Sequence, residues 1–176
     1  MIERYNAALL RLAASRPGHD GATLACPDAP ASNVDELCAD LRRGVAADAL
    51  RRSGRPADAL RELEELNMRV PYQLAGRSVY FARTRERFLR AELLERAGRL
   101  DEAYDWYSAV PHAARLDYLY LAPSHLGRAR IRARQGNAAA AARHYRKVLA
   151  LMPAPDPELA AIRRDAEAGL PRLGNP

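Results

Sequence analysis

The chain of 176 residues has little cysteine: Cys26 and Cys38 are its only two. Neither belongs to a CxxC pair or stands near a paired-histidine motif, so the spacing excludes a disulfide framework and a zinc site. Two ordinary cysteines, reduced or buried, are expected instead. Long apolar runs are also missing. No stretch of 18 or more apolar residues occurs, so no membrane span is expected. Glu3, Arg4 and Arg11 interrupt what would have to be the apolar region of a secretion signal, which points to residence in the cytoplasm. There is no glycine-rich phosphate loop, no HRD or DFG triplet and no recognisable helix-turn-helix. Lysine is almost absent: Lys147 stands alone in an arginine- and alanine-rich chain, which makes the net charge of +6 weak evidence for nucleic acid by itself. Its placement is more informative, because residues 112–153 sum to +7 while every other stretch lies near zero.

The groups that could do chemistry are scattered. His19, His112, His125 and His144 lack a second ligand at helical spacing, so neither a metal nor another cofactor is expected. Ser124 and His125 are neighbours without a third, orienting group, which leaves them short of a nucleophile and base. Asp101 and Glu102 fall at a helix start, where the backbone dipole alone favours carboxylates. Trp106 and Tyr107 read as packing residues. No constellation of nucleophile, base and stabiliser can be assembled, so the chain is not expected to be an enzyme.

What is present is a repeat. A glycine, a short polar step and an alanine followed four residues later by a bulky side chain occur at Gly54, Ala59 and Leu63, at Gly98, Ala103 and Tyr107, and at Gly136, Ala141 and Tyr145. The glycines stand 44 and 38 residues apart, enough for one helix pair and a connector in each unit. Apolar residues at helical spacing precede each glycine: Leu37, Leu41, Val45 and Leu50, then Phe88, Leu89, Ala91 and Leu94, then Leu126, Ala129 and Ile131. Pro71, Pro111 and Pro153 close the second helices, and Pro123 is expected to open the third unit. Ahead of the repeats, Ile2, Tyr5, Leu9 and Leu12 predict a first helix stopped by Pro17 and Gly18. Asn33 with Glu36 predicts the next helix start. Beyond the repeats, Asp156 as cap and Pro157 in the first turn predict a last helix with Leu159, Ile162 and Ala166 inward. The final GLPRLGNP should fray.

These units resemble the tetratricopeptide repeat, most closely in Gly136, Ala141, Tyr145 and Pro153. The resemblance implies an all-α fold: a right-handed α-solenoid of about three degenerate helix pairs, with a flanking N-terminal helix and a C-terminal capping helix. The organisation expected is residues 1–33 as helix and connector, 34–153 as repeats (34–71, 78–111 and 118–153), and 154–176 as cap and tail. A standard unit has about 34 residues, and the surplus fits PYQLAGRSVYFAR and PHAARLDYLYLAP. Tyr72, Tyr80, Phe81, Tyr118 and Tyr120 in these inserts favour lengthened first helices over loops. The wider pattern is similar to the C-terminal repeat region of large bacterial signalling proteins.

In such stacks the first helices line the concave face. The resemblance places Asp48, Arg51 and Arg52, then Arg85, Phe88, Glu92 and Arg96, then Leu126, Arg130 and Arg134 along it. Arginine forks suit carboxylates, so an acidic or C-terminal protein segment is the implied partner. Arg128, Arg130, Arg132 and Arg134 must divide between two sides of their helix, since each step turns about 100°. The implied function is a non-catalytic protein-interaction scaffold in a bacterial signalling or regulatory assembly. The alternative is a nucleic-acid-binding accessory module using the arginine-rich third repeat, and pairing of outer helices into a homodimer is a further use of the same fold.

Overall fold

The computed structural model describes residues 1–14, 24–29, 31–66, 79–110, 118–157 and 159–171. They form helices joined by turns and irregular segments, with no strand among them: α1 (Ile2–Ala14), α2 (Asn33–Arg52), α3 (Pro56–Glu64), α4 (Val79–Ala82), α5 (Thr84–Arg96), α6 (Leu100–Ala109), α7 (Tyr118–Arg134), α8 (Ala138–Leu151) and α9 (Ala160–Gly169). The expected stops at Pro17, Gly18, Pro71 and Pro111, together with Tyr72 and His112, lie outside the described residues. The fold class is all-α, of the solenoid kind built from helix pairs: α2 with α3, α5 with α6, and α7 with α8.

One turn is used three times. Gly54, Gly98 and Gly136 have φ of 79°, 79° and 75°, a left-handed conformation that costs other residues about 1–2 kcal/mol. Space does not require glycine there, for an added Cβ at each would meet nothing. The left-handed residue lets the following N–H reach back to the third carbonyl from the helix end: Arg55 to Leu50 at 2.9 Å, Arg99 to Leu94 at 3.0 Å and Asn137 to Arg132 at 2.9 Å. The glycine's own N–H bonds Arg51, Glu95 and Ala133 in the same order. Three copies of one backbone motif therefore launch α3, α6 and α8. Ala59, Ala103 and Ala141, one turn into those helices, are each fully buried, as are Leu63 and Tyr107, with Tyr145 nearly so.

Contacts divide the chain into two compact units, Met1–Glu86 and Arg87–Pro176. In the first, α1 and α2 bury Tyr5, Ala8, Leu24, Leu37, Leu41 and Val45. The cap of α2 is Ser32 rather than Asn33: its Oγ accepts from Asp35 N–H at 3.2 Å and donates to the Asp35 carboxylate at 2.8 Å. The reciprocal pair therefore closes one residue earlier than expected, with Asp35 in place of Glu36. The expectation of two ordinary cysteines is corrected, since Cys26 and Cys38 form a disulfide with Cα atoms 5.7 Å apart. The spacing gave no sign of it because the bond joins an irregular segment to a helix. It seats Leu24, only 2% exposed, on the α2 face.

Charge is buried in this unit too. Arg83 and Asp40 form an ion pair with side chains 3% and 7% exposed. Arg83 also donates to the Phe81 carbonyl at 2.8 Å and holds φ at 51°, a left-handed step that separates α4 from α5. Tyr5 donates to the buried Glu86 at 2.6 Å, and burial together with that carboxylate raises the phenol's pKa well above its ordinary value. Glu86 lies over Gly44, where a Cβ would collide with it.

The second unit packs rings instead. Tyr107 on α6 lies against Gly127 of α7, and Tyr145 on α8 lies against Gly169 of α9. An added Cβ at either glycine would run into the ring. Ala122, Leu126, Ala129, Val148, Met152 and Ala166 complete this core. Pro123 does not open α7 but stands inside it, because the helix already begins at Tyr118. Helix thus takes up part of both inserts, at Val79–Ala82 and at Tyr118–Ala122. Nor does α9 start at Asp156 and Pro157: a turn made by Leu159 and Ala160 N–H onto their carbonyls comes first. Leu159 lies 41% exposed rather than inward, while Gly169, expected to fray, is buried and helical.

Candidate functional site

The second unit carries a cleft of about 540 Å³ between α5, α7, α8 and α9. Glu95, Leu126, Arg130, Ala133, Arg134, Tyr145, Asp165, Ala168 and Gly169 line it. A smaller recess of about 340 Å³ shares Glu95, Arg130 and Arg134 and adds Glu92 and Arg96. Five of the residues expected from sequence, Glu92, Arg96, Leu126, Arg130 and Arg134, therefore come together around one polar cleft. Helical spacing explains it: 92, 95 and 96 share a face of α5, and 126, 130 and 134 share a face of α7.

Phe88 lies elsewhere. Its ring is 5.5 Å from that of Tyr107 and 5.1 Å from that of Tyr120, and it borders a separate apolar cleft with Leu119, Leu151 and Leu159. Arg85 belongs to the first unit. There it pairs with Asp48 at 3.3 Å and with Glu86 at 3.5 Å. Asp48, 5% exposed, also takes Arg51 at 2.6 Å and Arg52 at 3.3 Å. Burial alone would raise the Asp48 pKa; the hydrogen bond from Arg51 and the nearby guanidinium groups outweigh that and lower it. Asp48, Arg51, Arg52 and Arg85 thus satisfy one another.

Inside the polar cleft Arg130 is also partnered. Its Nε and Nη2 donate to the two oxygens of Glu95, both at 3.1 Å, and Tyr107 donates to the same carboxylate at 2.9 Å. Burial works against the Arg130 charge, yet Glu95 more than compensates and raises its pKa. The Tyr107 phenol is raised as well, chiefly by burial and then by Glu95. Glu95 escaped the sequence reading, although its position three residues after Glu92 placed it on the same face. Asp165 had no comparable signal, because it enters from the capping helix.

Arg134 and Arg96 are the exposed cations of the cleft. Arg134 spends one N–H on the Glu95 backbone carbonyl at 3.3 Å. Against them stand Glu92 and Asp165, so the surface is mixed in charge rather than uniformly basic. Among the described residues no group of three His, Cys, Asp or Glu side chains could hold a metal, and no helix is long and apolar enough to cross a membrane.

Helix pairs joined by one repeated turn, with a cleft lined largely by first helices, define a helical-repeat fold. The tetratricopeptide-repeat family model matches residues 42–65, 87–108 and 122–147 of it. Each matched segment contains one of the three glycine turns. No curated protein and no solved structure matches the chain.

Proposed function

We propose that the chain is a non-catalytic scaffold that captures a segment of a partner protein in the polar cleft of its second unit. The observation that carries this is the division of labour among the cleft arginines. Arg130 is fixed by Glu95 and shapes the floor, while Arg96 and Arg134 stay exposed at the rim. A carboxylate from the partner, on an acidic side chain or at a C-terminus, suits those two forks. Glu92 and Asp165 suit a basic residue beside it. A bacterial signalling or regulatory assembly is the setting that the resemblance supports. The Cys26–Cys38 bond favours an oxidising compartment, and so pulls against the cytoplasmic residence implied by the N-terminal charges.

A peptide-display screen against the immobilised chain tests the proposal. Enriched acidic or C-terminal sequences that lose at least tenfold in affinity with Arg96→Glu/Arg134→Glu, at unchanged helicity by circular dichroism, support it. Equal binding by that variant removes the cleft from the account. Arg130→Glu is unsuitable for this purpose, because it would face Glu95 with a like charge and disturb the fold.

A further inference from the structure

Arginines throughout the described residues are paired with carboxylates, among them Arg43, Arg51, Arg52, Arg55, Arg61, Arg83, Arg85, Arg99, Arg130 and Arg163. One cluster on the second unit breaks that habit. On α7, His125, Arg128 and Arg132 stand at helical spacing, and on α8 His144 and Lys147 do, with Arg143 next to His144. Tyr104 of α6 completes the group.

The histidine rings meet Nδ1 to Nδ1 at 3.0 Å, so a single hydrogen lies between them. Arg128 Nη2 donates to His125 Nδ1 at 2.9 Å, and the Tyr104 hydroxyl sits 3.3 Å from His144 Nε2. The same Arg128 Nη2 lies 3.3 Å from His125 Nε2, so the guanidinium covers both nitrogens of that ring. The Arg132 guanidinium lies 3.9 Å over the Tyr104 ring. Arg128 Nε is buried with no hydrogen-bond partner.

Among the described residues, none of the charges that bear on the two histidines is a carboxylate. The charges that bear on His125 are those of Arg128, His144 and Lys147, and those that bear on His144 are Arg128, Arg143 and Arg132. Burial and these cations hold both rings at about 4, well below the ordinary histidine value. Half-buried Arg128, with its Nε unpartnered, is costly to keep charged there, and an anion supplied from outside would relieve that cost.

We infer that His125, His144, Arg128, Arg132, Arg143 and Lys147 form a binding site for a single phosphate group carried on a side chain of a protein partner. A dianionic oxyanion matches the local excess of positive charge, and the donors suit it: guanidinium forks and an ammonium. The cations converge on one ring pair instead of following a line, which fits one phosphate better than a nucleic-acid backbone. The site lies on faces of α7 and α8 other than those that line the polar cleft, and it stands if cleft binding fails.

The test is a titration of the full chain with inorganic phosphate against sodium chloride of equal ionic strength, read at the histidine ring nitrogens by NMR. Saturable shifts at His125 and His144 with phosphate alone, and an upward move of the pair's apparent pKa, are expected. The exposed Lys147→Glu substitution, which leaves the core untouched, and Arg128→Gln should each weaken phosphate at least tenfold. Identical responses to phosphate and chloride, or unchanged affinity in Lys147→Glu, overturn the site. A phosphoserine peptide should then outcompete its unphosphorylated form. An oligonucleotide that binds with a steep salt dependence while the phosphopeptide gains nothing would contradict the single-phosphate assignment.

Discussion

The two units make the same glycine turn and the same buried alanine, yet they fill the space around them with opposite chemistry. The first unit uses a disulfide, the Arg83–Asp40 pair, and a chain of polar contacts from Tyr5 through Glu86 and Arg85 to Asp48. The second sets the rings of Tyr107 and Tyr145 against Gly127 and Gly169. The repeat thus specifies the backbone turn and the close approach of helices, and leaves the filling to each unit.

The comparison can be broken most severely at Asp40. Asp40→Ala leaves Arg83 buried without its counter-charge and should cost about 3–5 kcal/mol, seen as loss of amide protection in α2 and α4. Trp106, the only tryptophan, reports the second unit by fluorescence and should be the probe least affected. Reduction of Cys26–Cys38 comes next, at about 3 kcal/mol for a loop of this size, and should be confined to α1 and α2 in hydrogen exchange. A reduced chain with unchanged protection there would show that the bond is dispensable.

On the other side, Gly127→Ala should cost about 1–3 kcal/mol by forcing the Tyr107 ring aside, measured as a lower denaturant midpoint of Trp106 fluorescence. Gly136→Ala, with free space but a left-handed backbone, should cost about 1–2 kcal/mol. The pH effect is the sharpest in sign. With folded-state values near 4 and an ordinary value of 6.5, His125 and His144 take up protons more readily when unfolded, so the second unit should lose stability as pH falls from 6.5 toward 4. Asp48, lowered in the folded state, contributes stability above its ordinary carboxylate range, so its share in the first unit is lost only at lower pH. A pH series of unit-resolved exchange should show the second unit yielding first.

Sequence periodicity carried the helix pairs, because a left-handed glycine followed by a small buried residue leaves a fixed spacing. Helical phase also divides the α7 arginines: Arg130 and Arg134 line the cleft, while Arg128 and Arg132 face Tyr104 and the histidines. Helical phase alone decides that. The pairing of His125 with His144 was not legible, since each lacked a neighbour at helical spacing and the two meet only when α7 packs on α8. Cys26 with Cys38, and Arg83 with Asp40, are tertiary pairs of the same kind. The exposed Leu159 was misjudged because a turn, not a cap, precedes α9.

The claim that the second unit binds partners through its polar cleft is tested most directly by mapping amide shifts of the labelled chain with a bound peptide. The account predicts perturbations centred on Glu92, Glu95, Arg96, Arg134 and Asp165, with the disulfide segment silent. Shifts gathered instead on residues 24–45 of the first unit would contradict it.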